Sequence, residues 1–185
     1  MLSDYFKGLL GEFINKVDHR LRLPRKDYFA LHNIIIPSLV GTTEIDHVVV
    51  SRFGVFVIET KYWSGWLFGS AHDKTWTRVV YQRRHQVRNP LRQNHGHKMA
   101  LAELLGIKPD LITALVALRG ATFKSAVPEG VVVGGYARWV RASRKQVLKD
   151  DEVDRIIAVL ESDRVRRGLL ARMKHAILTR ARHRD

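Results

Sequence analysis

"EIDHVVVSRFGVFVIETKYWSG", residues 44–65, is apolar almost throughout and yet carries Asp46, Glu59 and Lys61. Its β-branched runs predict two strands, 43–51 and 54–62, joined by a turn near Arg52-Phe53, where Gly54 tolerates unusual dihedrals. A hairpin symmetric about that turn sets Asp46 opposite Glu59 and Glu44 opposite Lys61. Alternation then puts Val55, Val57, Glu59 and Lys61 on one face with Asp46. Facing side chains have Cβ atoms about 4.5–5.5 Å apart, so two carboxylates there repel. Burying them without a positive partner is costly.

Two readings meet that cost. In one, a hard divalent cation sits between the carboxylates; Mg²⁺ typically takes one or two carboxylates together with water and phosphate. Such a metal acidifies its bound water and polarises a phosphoryl oxygen. Lys61, two residues beyond Glu59 and on the same side, then holds water against a phosphate and offsets transition-state charge. In the other reading the charges form a salt-bridged cluster, with Lys61 satisfying Glu59 or Glu44. His47 points to the face opposite Asp46, as a hydrogen-bonded core or interface residue does.

Outward from the hairpin, Phe6, Leu9, Leu10, Phe13, Ile14, Val17 and Leu21 recur at helical spacing and predict a helix over 3–21, with Glu12 at the edge of its apolar stripe. Residues 28–36 read as a strand, and "GWLFGS" with "TWTRVVY" as a further hairpin around His72–Lys74. Asn89-Pro90 is a cap followed by proline at the first helical position, opening a helix that ends at Gly106. Strands are expected over 111–118 and 130–135, a helix from Asp150 or Asp151, and a last basic helix from about Val165. This order indicates an α/β fold with a mixed sheet flanked by helices. Residues 1–140 are expected to form the main domain, and 141–185 a basic helical extension packed on it or appended to it.

The 185-residue chain carries a formal charge of +14 and no cysteine, which excludes disulfides, thiolate nucleophiles and cysteine zinc sites. It has no signal-like leader and no uncharged run approaching the ~20 residues that cross a bilayer, so a cytoplasmic location is expected. Positive charge of this size attracts polyanions, above all nucleic acid. From Lys74 to Ala102 there is no acidic residue. Arg83, Arg84, Arg88 and Arg92, with His97 and Lys98, are candidate phosphate contacts; a solvated basic loop is the plain alternative. Trp63 and Trp66 flank Gly65, and packing over the sheet edge is favoured for them over stacking on unpaired bases. The apolar side of the basic C-terminal segment could clamp DNA, join two copies as a homodimer or lie on a membrane.

Gly11-Glu12, "GTTEIDHVVVSRFGVFVIETKYWSG" and "NPLRQNHGHKMAL" (89–101), in that order, resemble the nuclease-related domain (NERD), a branch of the PD-(D/E)XK nuclease superfamily. The resemblance implies a restriction-endonuclease-like αβββαβ core and Mg²⁺- or Mn²⁺-dependent cleavage of nucleic acid, DNA favoured over RNA. It implies Asp46 and Glu59 as metal ligands, Thr60 lending its backbone carbonyl, Lys61 as the catalytic lysine, and Glu12 and Gln93 in support. A nucleic-acid-binding module that keeps the fold without turnover is the alternative, and a basic adaptor acting through its C-terminal helices is a third.

Overall fold

The computed structural model describes residues 23–168 together with Ala171 and His175. The expected first helix, with Glu12, and most of the C-terminal basic segment lie outside the described residues. Within them the order is β1 (Phe29–Ser38), β2 (Gly41–Ser51), β3 (Gly54–Phe68), β4 (Thr75–Val80), β5 (Arg83–Arg88), α1 (Pro90–Leu105), β6 (Ile112–Phe123), β7 (Val131–Val133), α2 (Tyr136–Ala142) and α3 (Asp150–Glu161). The seven strands form one mixed α/β sheet. β1 to β5 follow one another antiparallel, while β6 runs parallel to β3 and β7 parallel to β6.

The long apolar runs of β2 and β3 follow from burial on both faces. On one side Val48, Val50, Val55 and Val57 pack with Leu101, Leu104 and Leu105 of α1 and with Ile156 and Leu160 of α3. On the other, Val49, Phe56, Ile58 and Leu115 pack with Tyr136, Ala137 and Val140 of α2. Each large apolar side chain buried in this way contributes roughly 1.5–3 kcal/mol. Helix α3 therefore shares the central core rather than standing apart from it. Among the described residues no helix is long and apolar enough to cross a membrane.

The β2–β3 register is the expected one, from Ser51↔Gly54 to His47↔Ile58. It stops there, so Asp46 and Glu59 stand at the first position beyond the ladder. The anticipated pairing of Glu44 with Lys61 does not form; Glu44 pairs with Ile35 of β1 instead. Strand β3 continues well past Tyr62, because a one-residue bulge between Tyr62 and Gly65 carries it on to Phe68. Gly65 has φ 89°, and a Cβ there would collide with the Val79 carbonyl.

A strand has two edges, and β6 occupies one of them from Val55 to Leu67. Strands β2 and β4 must therefore share the other, β2 along residues 54–58 and β4 along residues 66–68. Between them β3 is forked, and the fork holds Glu59, Thr60 and Lys61.

Three features differ from the sequence reading. Arg83–Arg88, for which a basic loop was the plain alternative, is an edge strand, reached from β4 by a two-residue turn with Tyr81 and Gln82 at positive φ. Helix α2 was not anticipated. The basic helix does not begin at Val165: the chain is extended there, and Arg166 exchanges two 2.9 Å backbone hydrogen bonds with Ile35.

Candidate active site in the fork of β3

Where the ladder ends, a side chain takes its place. The Thr60 amide donates to Asp46 Oδ2 at 2.8 Å, and the Thr60 hydroxyl donates to the same oxygen at 2.9 Å. Opposite Asp46 on β1, Asn33 has φ 52°, so regular pairing is interrupted there too, between His32↔His47 and Ile34↔Ile45. Asparagine tolerates that left-handed conformation better than most residues. Both interruptions free Asp46 from regular sheet geometry. Its Oδ2 is fixed by two donors, and Oδ1 has no hydrogen bond among the described residues.

Glu59 is 3% exposed. Its Oε1 accepts from Lys61 Nζ at 2.5 Å and from Gln93 Nε2 at 3.0 Å, while Gln93 Oε1 lies 3.4 Å from the same ammonium. Glu59, Lys61 and Gln93 thus close a triangle between β3 and α1. The second carboxylate oxygen, Oε2, is buried without a hydrogen-bond partner, as is His97 Nδ1, 3.6 Å away. That distance is too long for a hydrogen bond. His97, read from sequence as a phosphate contact, lies inside this cluster and is 5% exposed.

Burial, reinforced by the Asp46 charge, raises the Glu59 pKa from its ordinary 4.5 to about 7, against the opposing pull of Lys61 and Gln93. Burial lowers the pKa of His97 from 6.5 to about 4, so its imidazole is neutral near pH 7.

Two asparagines hold α1 in place: Asn89, expected from the sequence as its cap, and Asn94, absent from the sequence-based candidates. Asn89, fully buried, caps the helix through the Leu91 amide at 2.9 Å. Its own amide donates to the carbonyls of Ser70, Ala71 and Asp73 in the β3–β4 turn. Asn94 Nδ2 donates to Val57 O at 3.2 Å and Leu115 O at 2.8 Å, pinning α1 across β3 and β6. One signal could have found Asn94 and His97: they continue backward, at 94, 97, 101 and 104, the stripe on which Leu101 and Leu104 are buried.

His47 occupies the other face, as expected, with its ring 5.3 Å from that of Tyr136. Its Nδ1 lies 2.7 Å from His32 Nδ1, and its Nε2 lies 3.4 Å from the Thr60 hydroxyl. Because that hydroxyl gives its proton to Asp46, one tautomer set satisfies the chain. With both rings neutral, that set has His32 donate to His47, His47 to Thr60 and Thr60 to Asp46.

The remaining predicted residues are dispersed. Arg83, Arg84 and Arg88 are exposed on β5, with Arg84 and Arg88 on one face and Arg83 on the other. Arg92 is exposed on α1 and Lys98 half-buried. Trp63 packs inward against Trp76, ring centroids 6.5 Å apart, while Trp66 is exposed. Among the described residues no group of three or more His, Cys, Asp or Glu side chains is placed to hold a metal ion. Asp46 and Glu59 bring two carboxylates, each with a spare oxygen; the expected third, Glu12, lies outside the described residues.

An uncharacterized protein of Bacillus anthracis is 38% identical over 103 residues, which is 54% of this chain and 47% of that protein. The chain therefore spans about half the length of this curated relative. No solved structure matches it. The nuclease-related domain profile matches residues 7–119, a span that contains β1 to β5, α1 and the first part of β6 together with Asp46, Glu59, Lys61 and Gln93. The chain belongs to the nuclease-related domain family.

Proposed function

We propose that this protein is a nuclease that uses Mg²⁺ or Mn²⁺ to hydrolyse phosphodiester bonds, with DNA as substrate, on a restriction-endonuclease-like αβββαβ core. The observation that carries the reading is the orphaned Oε2 of Glu59. A buried carboxylate oxygen without a donor is costly, and it stands beside the fork that also presents the spare oxygen of Asp46. These hard oxygens suit a small divalent cation that completes its shell with water and phosphate. Asp46 and Glu59 would hold it, with the Thr60 carbonyl and Glu12 as further donors. When bound, the metal supplies an acidified water and neutralises charge on the phosphoryl oxygens.

The chain's own residues do the rest. Thr60 fixes the rotamer of Asp46 through two hydrogen bonds. Gln93 orients Glu59 and Lys61 together. Once the Glu59 charge is engaged elsewhere, Lys61 is free to turn its ammonium to a water or to the scissile phosphate. Arg84, Arg88, Arg92 and Lys98 would meet the phosphate backbone.

The test is cleavage of supercoiled, linear and single-stranded DNA and of RNA, in Mn²⁺, Mg²⁺ or EDTA, by the full chain and its Lys61→Ala and Glu59→Ala variants. Metal-dependent DNA cleavage that falls at least a hundredfold in each variant is expected. Cleavage surviving in EDTA or in both variants overturns the mechanism, and salt-sensitive binding without cleavage assigns the chain as a non-catalytic binding module.

A further inference from the structure

Beside Arg84 and Arg88, the far end of β3 carries an aromatic surface to which the cleavage site contributes no residue. Trp66 is 52% exposed and Phe68 41%. Two residues apart on one strand, they stand on one face about 7 Å from each other. The ladders align Trp66 with Val79 and Arg84 in one row, and Phe68 with Thr77 and Gln86 in the next. Arg88, four residues beyond Arg84, returns to the same face. On the β6 side, Thr122 lies beside Trp66, and the Lys124 ammonium sits 4.5 Å above the Trp66 ring centroid. The reverse side of these strands is the closed cluster of Leu67, Trp76, Leu118, Ala121 and Phe123.

The exposed side therefore presents two aromatic rings, one ammonium and two guanidinium groups, and its rows contain no carboxylate. Charged residues on an edge strand guard against pairing with other chains, which accounts for the arginines alone. It does not account for a tryptophan and a phenylalanine left in water beside them, when the nearby Trp63 is packed away. Flat rings interleaved with cations match a strand whose bases are unpaired, because every base offers a face to stack on and every nucleotide a phosphate.

We propose that this face binds a single-stranded segment of nucleic acid, with bases stacked on Trp66 and Phe68 and phosphates met by Arg84, Arg88 and Lys124. The proposal rests on nucleic acid being the substrate and narrows its class to single-stranded, frayed or flapped molecules. Strand β3 leads directly from Glu59 to Trp66. Seven residues at about 3.3 Å each place the platform roughly 23 Å from the carboxylate along the strand, on the opposite face of the sheet.

Binding is measured in EDTA, where cleavage plays no part, by fluorescence anisotropy with labelled single-stranded DNA, single-stranded RNA of the same sequence and a blunt DNA duplex. The full chain is compared with its Trp66→Ala, Phe68→Ala and Trp66→Phe variants, each checked for an unchanged melting profile. Single-strand affinity should fall on the order of tenfold in Trp66→Ala and in Phe68→Ala, with Trp66→Phe close to the parent and duplex affinity unmoved. The DNA and RNA arms tell which sugar the platform accepts, and the dependence in either one supports the proposal. Single-strand affinity unchanged in both alanine variants, or an equal loss for the duplex, overturns it. If the chain proves not to cleave, aromatic-dependent binding still stands. If the chain cleaves but binds without regard to Trp66 and Phe68, this platform falls and the nuclease reading remains.

Discussion

Glu59→Gln, studied in EDTA, is expected to reshape the pH dependence of stability rather than simply weaken the fold. In the folded chain the Glu59 pKa stands near 7, against an ordinary 4.5. Between those values the folded state keeps a proton that the unfolded chain has released, so stability falls as pH rises. The stabilisation by protonation is complete below 4.5 and is lost through 7. At ~1.4 kcal/mol per pH unit the loss approaches about 3 kcal/mol by pH 8. His97 acts in the opposite sense. Its folded pKa near 4 lies below 6.5, so its contribution is present above 6.5 and lost as pH falls toward 4. The two slopes nearly cancel in the parent chain, and its own profile conceals both. Glutamine does not titrate, so the difference between parent and variant isolates Glu59. Urea unfolding at intervals from pH 4.5 to 8 should show the variant gaining about 3 kcal/mol relative to the parent. Parallel stability curves across that range would refute the assignment of a proton to Glu59 and, with it, the argument that burial governs this carboxylate.

Metal activation should follow the same proton. The Mn²⁺ concentration giving half-maximal cleavage is expected to rise about tenfold for each pH unit below 7, since binding must displace the proton from Glu59; a midpoint constant from pH 5.5 to 8 contradicts this. Asn94→Ala removes two hydrogen bonds that pin α1 to the sheet and should cost about 1–3 kcal/mol in denaturant unfolding. Because Gln93 and His97 ride on that helix, the folded fraction should also cleave more slowly; full specific activity would separate the anchoring of α1 from the site.

The centre of the fold was legible because local and tertiary signals agreed there. The turn at Arg52-Phe53 fixed the register, and burial on both faces produced the unbroken apolar runs of β2 and β3. Disagreement between levels hid the rest. Trp63-Ser64-Gly65 reads locally as a turn, but β6 holds β3 in line through the bulge. Strand β5 has one half-buried apolar residue, Val87, among exposed polar ones, so composition suggests a loop and only pairing with β4 makes it a strand. Helix α2, with seven residues, is too short for Tyr136, Ala137 and Val140 to announce a period. Within the site, the acidic and lysine positions stood out because charge in an apolar run is conspicuous. Asn33 did not, because its work is done through backbone conformation, and Asn94 shows only as a backward continuation of the buried stripe through Leu101 and Leu104.

The hydrogen bond from the Thr60 amide to Asp46 has a spectroscopic consequence. Along most of β3 the amide protons are shared with neighbouring backbone carbonyls, whose charge does not change. That of Thr60 instead ends on a carboxylate oxygen 2.8 Å away. Its ¹H and ¹⁵N resonances would shift with any cation drawn to that carboxylate. One backbone signal, in an ¹⁵N-labelled sample and without any substrate, could report the electrical state of the whole cluster.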